Sequence, residues 1–126
     1  MTDWQWVRED VALAVHDEQL AEHGGAAGVR DLWLLQSALA RPENLAAYGE
    51  PDAAALAAAY AFGIARNHPF TDGNKRTAAV TALLFLVHNG IEFQVGEAEL
   101  VVMTLALAAG ELSEGETAGW LRERIA

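Results

Sequence analysis

Residues 67–78 read NHPFTDGNKRTA and bring a histidine, a carboxylate and two adjacent cations into one short segment. Histidine titrates near neutral pH, so His68 could take a proton from an attacking hydroxyl. Asp72 could hold Mg²⁺, because a lone carboxylate beside phosphates is a common Mg²⁺ ligand. Lys75, the only lysine of the chain, and Arg76 could bind phosphate, lysine as a point charge and arginine through its bidentate fork. These are the parts needed to transfer a phosphorus-centred group.

The two cations stand where a helix is predicted to begin. Gly73 permits a tight loop, and a helix N-terminus presents unpaired N–H groups and partial positive charge, which favour an anion and disfavour cations. Lys75 and Arg76 break this rule, as is expected at a functional site where a bound anion supplies the negative charge. Asn74 is predicted to donate to a phosphate oxygen or to complete the shell of the metal.

Each of these residues also has a purely structural interpretation. His68 before Pro69 could be a turn residue, and Asp72 could be a helix cap. Phe70 is expected to pack beneath the loop without a chemical role. Lys75 could be unique because the composition favours arginine. Their joint occurrence at the head of an apolar helix favours the functional interpretation.

Composition narrows the class of protein. A chain of 126 residues, of which 52% are hydrophobic, predicts a single domain over residues 1–126 with a sizeable core. The net charge of −10 argues against a general nucleic-acid binder, so no direct DNA binding is expected. With no cysteine, disulfides and thiolate metal sites are excluded. The sequence has no signal-peptide pattern and no apolar run of membrane-spanning length, which predicts a cytoplasmic protein without a membrane partner.

Hydrophobic periodicity and capping signals predict an all-α fold of about six helices. The first predicted helix runs from Thr2 or Asp3 to about Leu20, and the second and third cover residues 31–39 and 53–66. The fourth runs from the motif through an apolar stretch at 78–87. The fifth covers residues 97–109, and the sixth runs from a capping box at 113–116 to about Arg124. The helix after the motif is expected to be buried at the centre. An ordered loop is predicted at 41–52 and a short extended piece at 91–95. The glycine-rich stretch 23–28 could cradle a phosphate, but a turn is favoured because no GK(S/T) follows.

The segment from His68 to Arg76, HPFTDGNKR, resembles the signature of the Fic/Doc superfamily, HPFx(D/E)GNGRxxR in its Fic branch. Lys75 replaces the second glycine, and Ala79 stands where the last arginine would be. Both departures are typical of the Doc (death-on-curing) branch, HxFx(D/A)GNKR. The stretches HGGAAGVRD, LLQSALARPE, YGEPD and ALLFLVHNG are similar to the Doc pattern in the same order, so the resemblance covers nearly the whole chain.

The resemblance implies an activity. Fic proteins generally transfer AMP from ATP to a hydroxyl, whereas Doc toxins bind ATP in the reversed sense and phosphorylate the translation factor EF-Tu. By analogy, His68 would be the general base and Asp72 the Mg²⁺ ligand. Residues 73–76 would bind the ATP phosphates, and Arg66 would add positive charge. The loop at 41–52 would correspond to the flap that positions the target.

Lys75 and Ala79 bear on which group is transferred. A second glycine would let a nucleotide phosphate approach the backbone, whereas Lys75 fills that space, and Ala79 removes a contact for the Fic orientation. Transfer of the γ-phosphoryl group to a threonine is therefore favoured over transfer of AMP, which stays the alternative.

The resemblance also implies a partner, a Phd-like antitoxin whose C-terminal segment folds onto the toxin. A groove beside the first helix is expected to receive it, with Trp4, Trp6 and Trp33 as possible lining residues, although core packing is the alternative for each. Two other functions stay open: a catalytically silent phosphate-binding regulatory module, and an HD-type phosphohydrolase prompted by His16 and Asp17. The second lacks convincing further ligands.

Overall fold

The computed structural model describes residues 3–126, and within this range the chain forms six α-helices, as the sequence predicts. They are α1 (Glu9–His23), α2 (Leu32–Ala47), α3 (Ala53–Asn67), α4 (Asn74–His88), α5 (Glu97–Ala108) and α6 (Glu114–Arg124). Between residues 3 and 126, no helix is both long enough and apolar enough to cross a membrane.

Several helices begin where the capping signals place them. Asp31 accepts a hydrogen bond from the Leu34 N–H (3.1 Å), and Asp52 accepts one from the Ala55 N–H (2.9 Å). At α6, Ser113 and Glu116 form the predicted capping box. Such side chains accept hydrogen bonds from the backbone N–H groups of the first turn, which have no partner within the helix. The starts of these capped helices can therefore be predicted from the sequence.

The start of the first helix is a correction. α1 begins at Glu9, and residues 3–8 precede it without helical structure; Thr2, one of the two predicted caps, lies outside the described residues. Tertiary contacts hold residues 3–8, since the Val7 N–H donates to the Tyr60 hydroxyl (2.9 Å) and Trp4 and Trp6 both pack against Phe85. Burial of these rings outweighs the helical preference of the segment.

The second correction concerns α2, which was expected to end at Leu39 and continues to Ala47 with Pro42 inside it. A proline in a helix removes one hydrogen bond and costs about 3 kcal/mol. Pro42 continues the buried face that Leu35 and Leu39 begin, and this burial compensates for the loss. The predicted loop is thereby reduced to residues 48–52.

Helix α3 is the most enclosed element. Its many alanines allow α2, α4 and α6 to pack closely around it, and its side chains are buried along nearly the whole length. A Cβ at Gly63 would lie 3.1 Å from the Cα of Ala38, which shows how closely α2 approaches. The helix after the motif, α4, is buried against α3 as expected, but it exposes Val87. The deepest position therefore belongs to the helix that leads into the motif.

The C-terminal part agrees with expectation. Residues 91–95 are extended, and the Gln94 N–H donates to the Arg124 carbonyl (2.9 Å) beside an antiparallel bridge between Phe93 and Ile125. This pairing fixes α6 against the core. Helix α5 packs against α3 and α4 and lies across the cleft from the start of α4.

Candidate active site

The motif residues line a cleft of about 970 Å³ at the start of α4. On one side are the side chains singled out by sequence, His68, Asp72, Asn74, Lys75 and Arg76, together with Gly73. The opposite walls come from the last turn of α1 and from α5, and include Gln19, Glu22, His23, Ala98, Val101 and Leu105. The size is typical of a small-molecule site. We call residues 68–73 the motif loop.

His68 ends α3 in a left-handed conformation (φ 51°, ψ 55°) and is the one non-glycine residue with positive φ among residues 3–126. This conformation costs an L-residue about 1–2 kcal/mol. Arg30 stabilises it, because its Nε donates to the His68 carbonyl (2.8 Å) and its Nη2 to the Asn67 carbonyl (3.0 Å). The turn leaves the imidazole exposed at the cleft.

The side chain of Asn74 holds the motif loop closed. Its Oδ1 accepts from the Phe70 N–H (2.9 Å), and its Nδ2 donates to the Phe70 carbonyl (2.9 Å). Nδ2 also lies 3.3 Å from Nδ1 of His68. This buried amide is thus occupied within the loop, whereas the sequence had suggested contact with phosphate or metal.

Asp72 is exposed and negatively charged at neutral pH. Backbone hydrogen bonds lower the pKa of its carboxyl group, first from the Gly73 N–H to Oδ1 (2.8 Å) and then from the Ala26 N–H to Oδ2 (3.3 Å). Arg76 lowers the pKa further by its charge. Each carboxylate oxygen keeps accepting capacity, so this group fits Mg²⁺, which proteins hold through one or two carboxylates with substrate phosphates completing the shell.

The start of α4 has the features of an anion site. Gly73 is the N-cap in a left-handed conformation, and within the described residues no side chain caps this helix end. Lys75 is exposed, and Arg76 donates from Nη2 to the Gly24 carbonyl (3.1 Å). Among residues 3–126, neither cation takes part in an ion pair. Backbone N–H groups, helix dipole and two cations therefore face one cleft, which suits a phosphate.

His16 is a site residue that sequence reasoning missed. Its ring is 2% exposed and stacks on Phe70 with the centroids 3.8 Å apart, and its Nε2 donates to the Asp72 carbonyl (2.8 Å). From the sequence, this histidine enters only as a prompt for the HD-type alternative. Its spacing on α1 gives no signal, because the partner lies fifty-six positions away in the chain.

The glycine-rich segment, residues 24–28, connects α1 to α2, as the sequence favours, and it also contacts the motif loop. The Gly28 carbonyl accepts from the Thr71 N–H (3.0 Å), and the next residue, Val29, pairs with Phe70. Ala26 contributes the N–H that reaches Asp72. The segment thus contacts the candidate metal ligand.

Arg66 does not line the cleft. It lies one helical turn after Phe62, with its guanidinium over that ring (5.3 Å to the centroid), and Nη1 is near the position that a Cβ of Gly110 would take. The direction of its side chain on α3 places its charge beside the turn between α5 and α6, not at the motif loop.

The predicted flap and groove also differ from expectation. Residues 41–47 are helical, and Arg41 is bound to Glu114 by two hydrogen bonds (2.9 and 2.7 Å). Trp4 and Trp6 belong to the core around Phe85, which supports the packing interpretation for both, while Trp33 is exposed on α2. The three tryptophans therefore do not line one groove.

Fold and site together define a class of protein. The chain matches the model of the Fic/DOC family over residues 6–86, and it belongs to that family. It is 37% identical over 111 residues to the protein kinase doc of Escherichia phage P1, a match that covers 87% of each chain. It is 42% identical over 99 residues to the toxin Doc of Mycolicibacterium smegmatis, covering 73% of this chain and 72% of that toxin. Both relatives carry the Doc name, in agreement with the Doc-type residues at positions 75 and 79.

Proposed function

We propose that this chain is a Doc-like toxin and protein kinase that transfers the γ-phosphoryl group of ATP to a hydroxyl group of a translation factor. The proposed target is a threonine of EF-Tu, and the consequence is arrest of protein synthesis and growth in the cytoplasm. One observation carries the proposal: His68, Asp72 and a helix start bearing Lys75 and Arg76 face the same cleft. The names of the two relatives support it.

The proposed reaction is an in-line displacement at the γ-phosphorus. His68 takes the proton of the target hydroxyl, the hydroxyl oxygen attacks the phosphorus, and the bond to the β–γ bridging oxygen breaks, so that ADP leaves with the electron pair. Lys75, Arg76 and the first N–H groups of α4 bind the phosphates and stabilise their charge. Asp72 would hold Mg²⁺, which neutralises phosphate charge when it is bound.

The contact between Asn74 and His68 sets a condition on this mechanism. Because the amide orientation is fixed by Phe70, Nδ2 offers an N–H to Nδ1 of His68, and the neutral ring then carries its proton on Nε2. A base needs an unprotonated nitrogen facing the hydroxyl. The proposal therefore requires this contact, at 3.3 Å the longest of the three, to be exchanged when the substrates bind.

The choice of γ-phosphoryl over AMP follows from Lys75 and Ala79. Lys75 lies at the start of α4, where a second glycine would leave backbone open to a nucleotide phosphate, and Ala79 lines the cleft without a charge. These residues support the Doc-type orientation of the nucleotide. Transfer of AMP is the competing outcome.

The test uses purified protein, Mg²⁺ and a lysate that contains translation factors, with ATP labelled at either the α- or the γ-phosphate. Label passing to protein only from the γ-position supports the proposal. His68→Ala should abolish transfer, whereas His88→Ala, which alters an exposed histidine at the far end of the same helix, should retain it. Transfer from the α-position would make the chain an AMP transferase, and no transfer to lysate or to purified EF-Tu would favour the regulatory module.

The proposed partner is a Phd-like antitoxin. Expression of the chain alone should arrest growth, and His68→Ala or coexpression of the antitoxin should relieve the arrest. Normal growth with abundant folded wild-type protein would contradict toxin activity.

A further inference from the structure

Asp72 is held from three sides, and two of these contacts come from outside the motif. Within the motif, the Gly73 N–H donates to Oδ1. From α1, Nε2 of His16 donates to the main-chain carbonyl of Asp72 (2.8 Å), and from the glycine-rich segment the Ala26 N–H donates to Oδ2 (3.3 Å). The carbonyl and the carboxylate of the same residue are thus fixed by different parts of the chain.

Gly25 makes room for this arrangement. A Cβ at position 25 would lie 2.7 Å from Oδ2 of Asp72, closer than real Cβ contacts, and 3.2 Å from its Cγ, which is tighter than most of them. Any larger residue there would push the carboxylate away from its present position. The observed orientation of the Asp72 carboxylate therefore requires a glycine at position 25. The backbone φ of Gly25, +124°, also favours glycine there.

His16 fixes the backbone half of the same residue. Its ring stacks nearly parallel on Phe70, with an interplanar angle of 7°, and is almost fully buried, so it has little freedom to turn. Because the partner is a carbonyl oxygen, Nε2 must carry a proton. A Cβ at Gly73 would lie 3.6 Å from the same nitrogen, so His16 also lies directly beside the N-cap of α4.

We propose that His16, Gly25 and Ala26 form a positioning unit for Asp72, which aims its carboxylate into the cleft before a divalent cation arrives. None of the three touches the reacting groups. In many metalloproteins, residues that do not touch the metal hold its ligands in the right orientation, and His16, Gly25 and Ala26 would do the same for Asp72. Loss of such orientation commonly weakens metal affinity about 10- to 100-fold. The inference rests on the proposed function, in which Asp72 holds Mg²⁺.

The first experiment compares Gly25→Ala with Gly90→Ala. Both substitutions place a Cβ on a residue with positive φ, but at Gly90 the Cβ would meet no atom within 4 Å. In the γ-phosphoryl transfer assay, Gly25→Ala should raise the Mg²⁺ concentration needed for half-maximal rate at least about tenfold, with most of the rate recovered at saturating Mg²⁺. Gly90→Ala should leave that concentration within about twofold of wild type.

A second variant and a second readout separate positioning from loss of folding. His16→Phe keeps a ring against Phe70 but removes the donor to the Asp72 carbonyl, and it should raise the Mg²⁺ requirement in the same direction. The second readout is metal binding without nucleotide, which requires no phosphoryl transfer. Mn²⁺-induced broadening of the motif-loop amide signals should need more Mn²⁺ in both variants.

The outcomes distinguish the two proposals. If the wild-type protein transfers γ-phosphoryl and Gly25→Ala matches Gly90→Ala in Mg²⁺ requirement and in Mn²⁺ binding, the positioning unit is wrong and the proposed function stands. If the wild-type protein transfers nothing, the proposed function fails whatever the variants do. Weaker Mn²⁺ binding in folded Gly25→Ala and His16→Phe would still support the positioning unit.

Discussion

Helix α3 and the motif loop are consecutive in the chain but are held in place by different kinds of contact. Around α3, apolar side chains such as Leu56 and Ile64 are fully buried against three neighbouring helices. The motif loop is held by polar side chains that bond its main chain, Asn74 from the start of the next helix and Arg30 and His16 from distant positions. Packing is distributed over many atoms, whereas the loop depends on a few directional bonds. Stability should therefore reside in the first region and activity in the second.

The largest expected effect comes from His68→Gly, which should separate the two properties. Loss of the base should lower the transfer rate about 100- to 10,000-fold. The unfolding free energy should stay within about 1 kcal/mol of wild type, because glycine accepts the left-handed conformation that His68 adopts. Chemical denaturation measures the second quantity, and a fall of several kcal/mol would mean that the loop contributes to the core.

The reverse separation is expected for Leu56→Ala in α3. The side chain is fully buried, so its truncation should cost about 2–5 kcal/mol of unfolding free energy. The transfer rate per folded molecule should not change. Val102→Ala, on the exposed side of α5, is the control and should stay within about 0.5 kcal/mol. Loss of transfer in folded Leu56→Ala protein would show that the core also tunes the site.

Arg30→Ala tests the boundary between the regions, since Arg30 bonds both the last residue of α3 and His68. Without it, the left-handed turn loses its two charged donors, and the imidazole should sample other positions. We expect about a tenfold loss of transfer rate, equivalent to about 1.4 kcal/mol. Arg8→Ala removes an exposed arginine whose partner is Asp10, and it should keep the full rate. Equal rates for both variants would exclude a positioning role for Arg30.

The same difference explains what could be predicted from the sequence. The existence of six helices and several of their starts follows from periodicity and from caps such as Asp52 and Ser113, which act within one turn. The motif loop residues could be chosen because their types and spacing are unusual. His16 and Arg30 could not, because their targets are main-chain carbonyls and leave no residue-type signature. The end of α2 was wrong because proline usually ends a helix, whereas here the burial of Pro42 allows the helix to continue.

Asp52 and Asp72 offer the finest comparison, because both precede a helix and both have a lowered carboxyl pKa, for different reasons. For Asp52 the main cause is the hydrogen-bonded ion pair with Arg122 (2.6 and 3.0 Å), followed by desolvation, which acts in the opposite direction. For Asp72, the main cause of the lowered pKa is hydrogen bonding from backbone N–H groups, and its negative charge faces the cleft. The first carboxylate should serve stability and the second activity.

The smallest expected effect is therefore that of Asp52→Asn, which keeps a capping side chain but removes the charge beside Arg122. The pair is half exposed, so the loss should be below about 1 kcal/mol, with the transfer rate unchanged. Because the pKa of Asp52 is lower in the folded protein than in the unfolded chain, its contribution is complete above the usual value of 3.8 and disappears as the pH falls through the lowered value. Denaturation curves of wild type and Asp52→Asn should therefore differ at neutral pH and converge in acid. A difference that persists in acid would mean that the helix cap, rather than the ion pair, accounts for the contribution of Asp52.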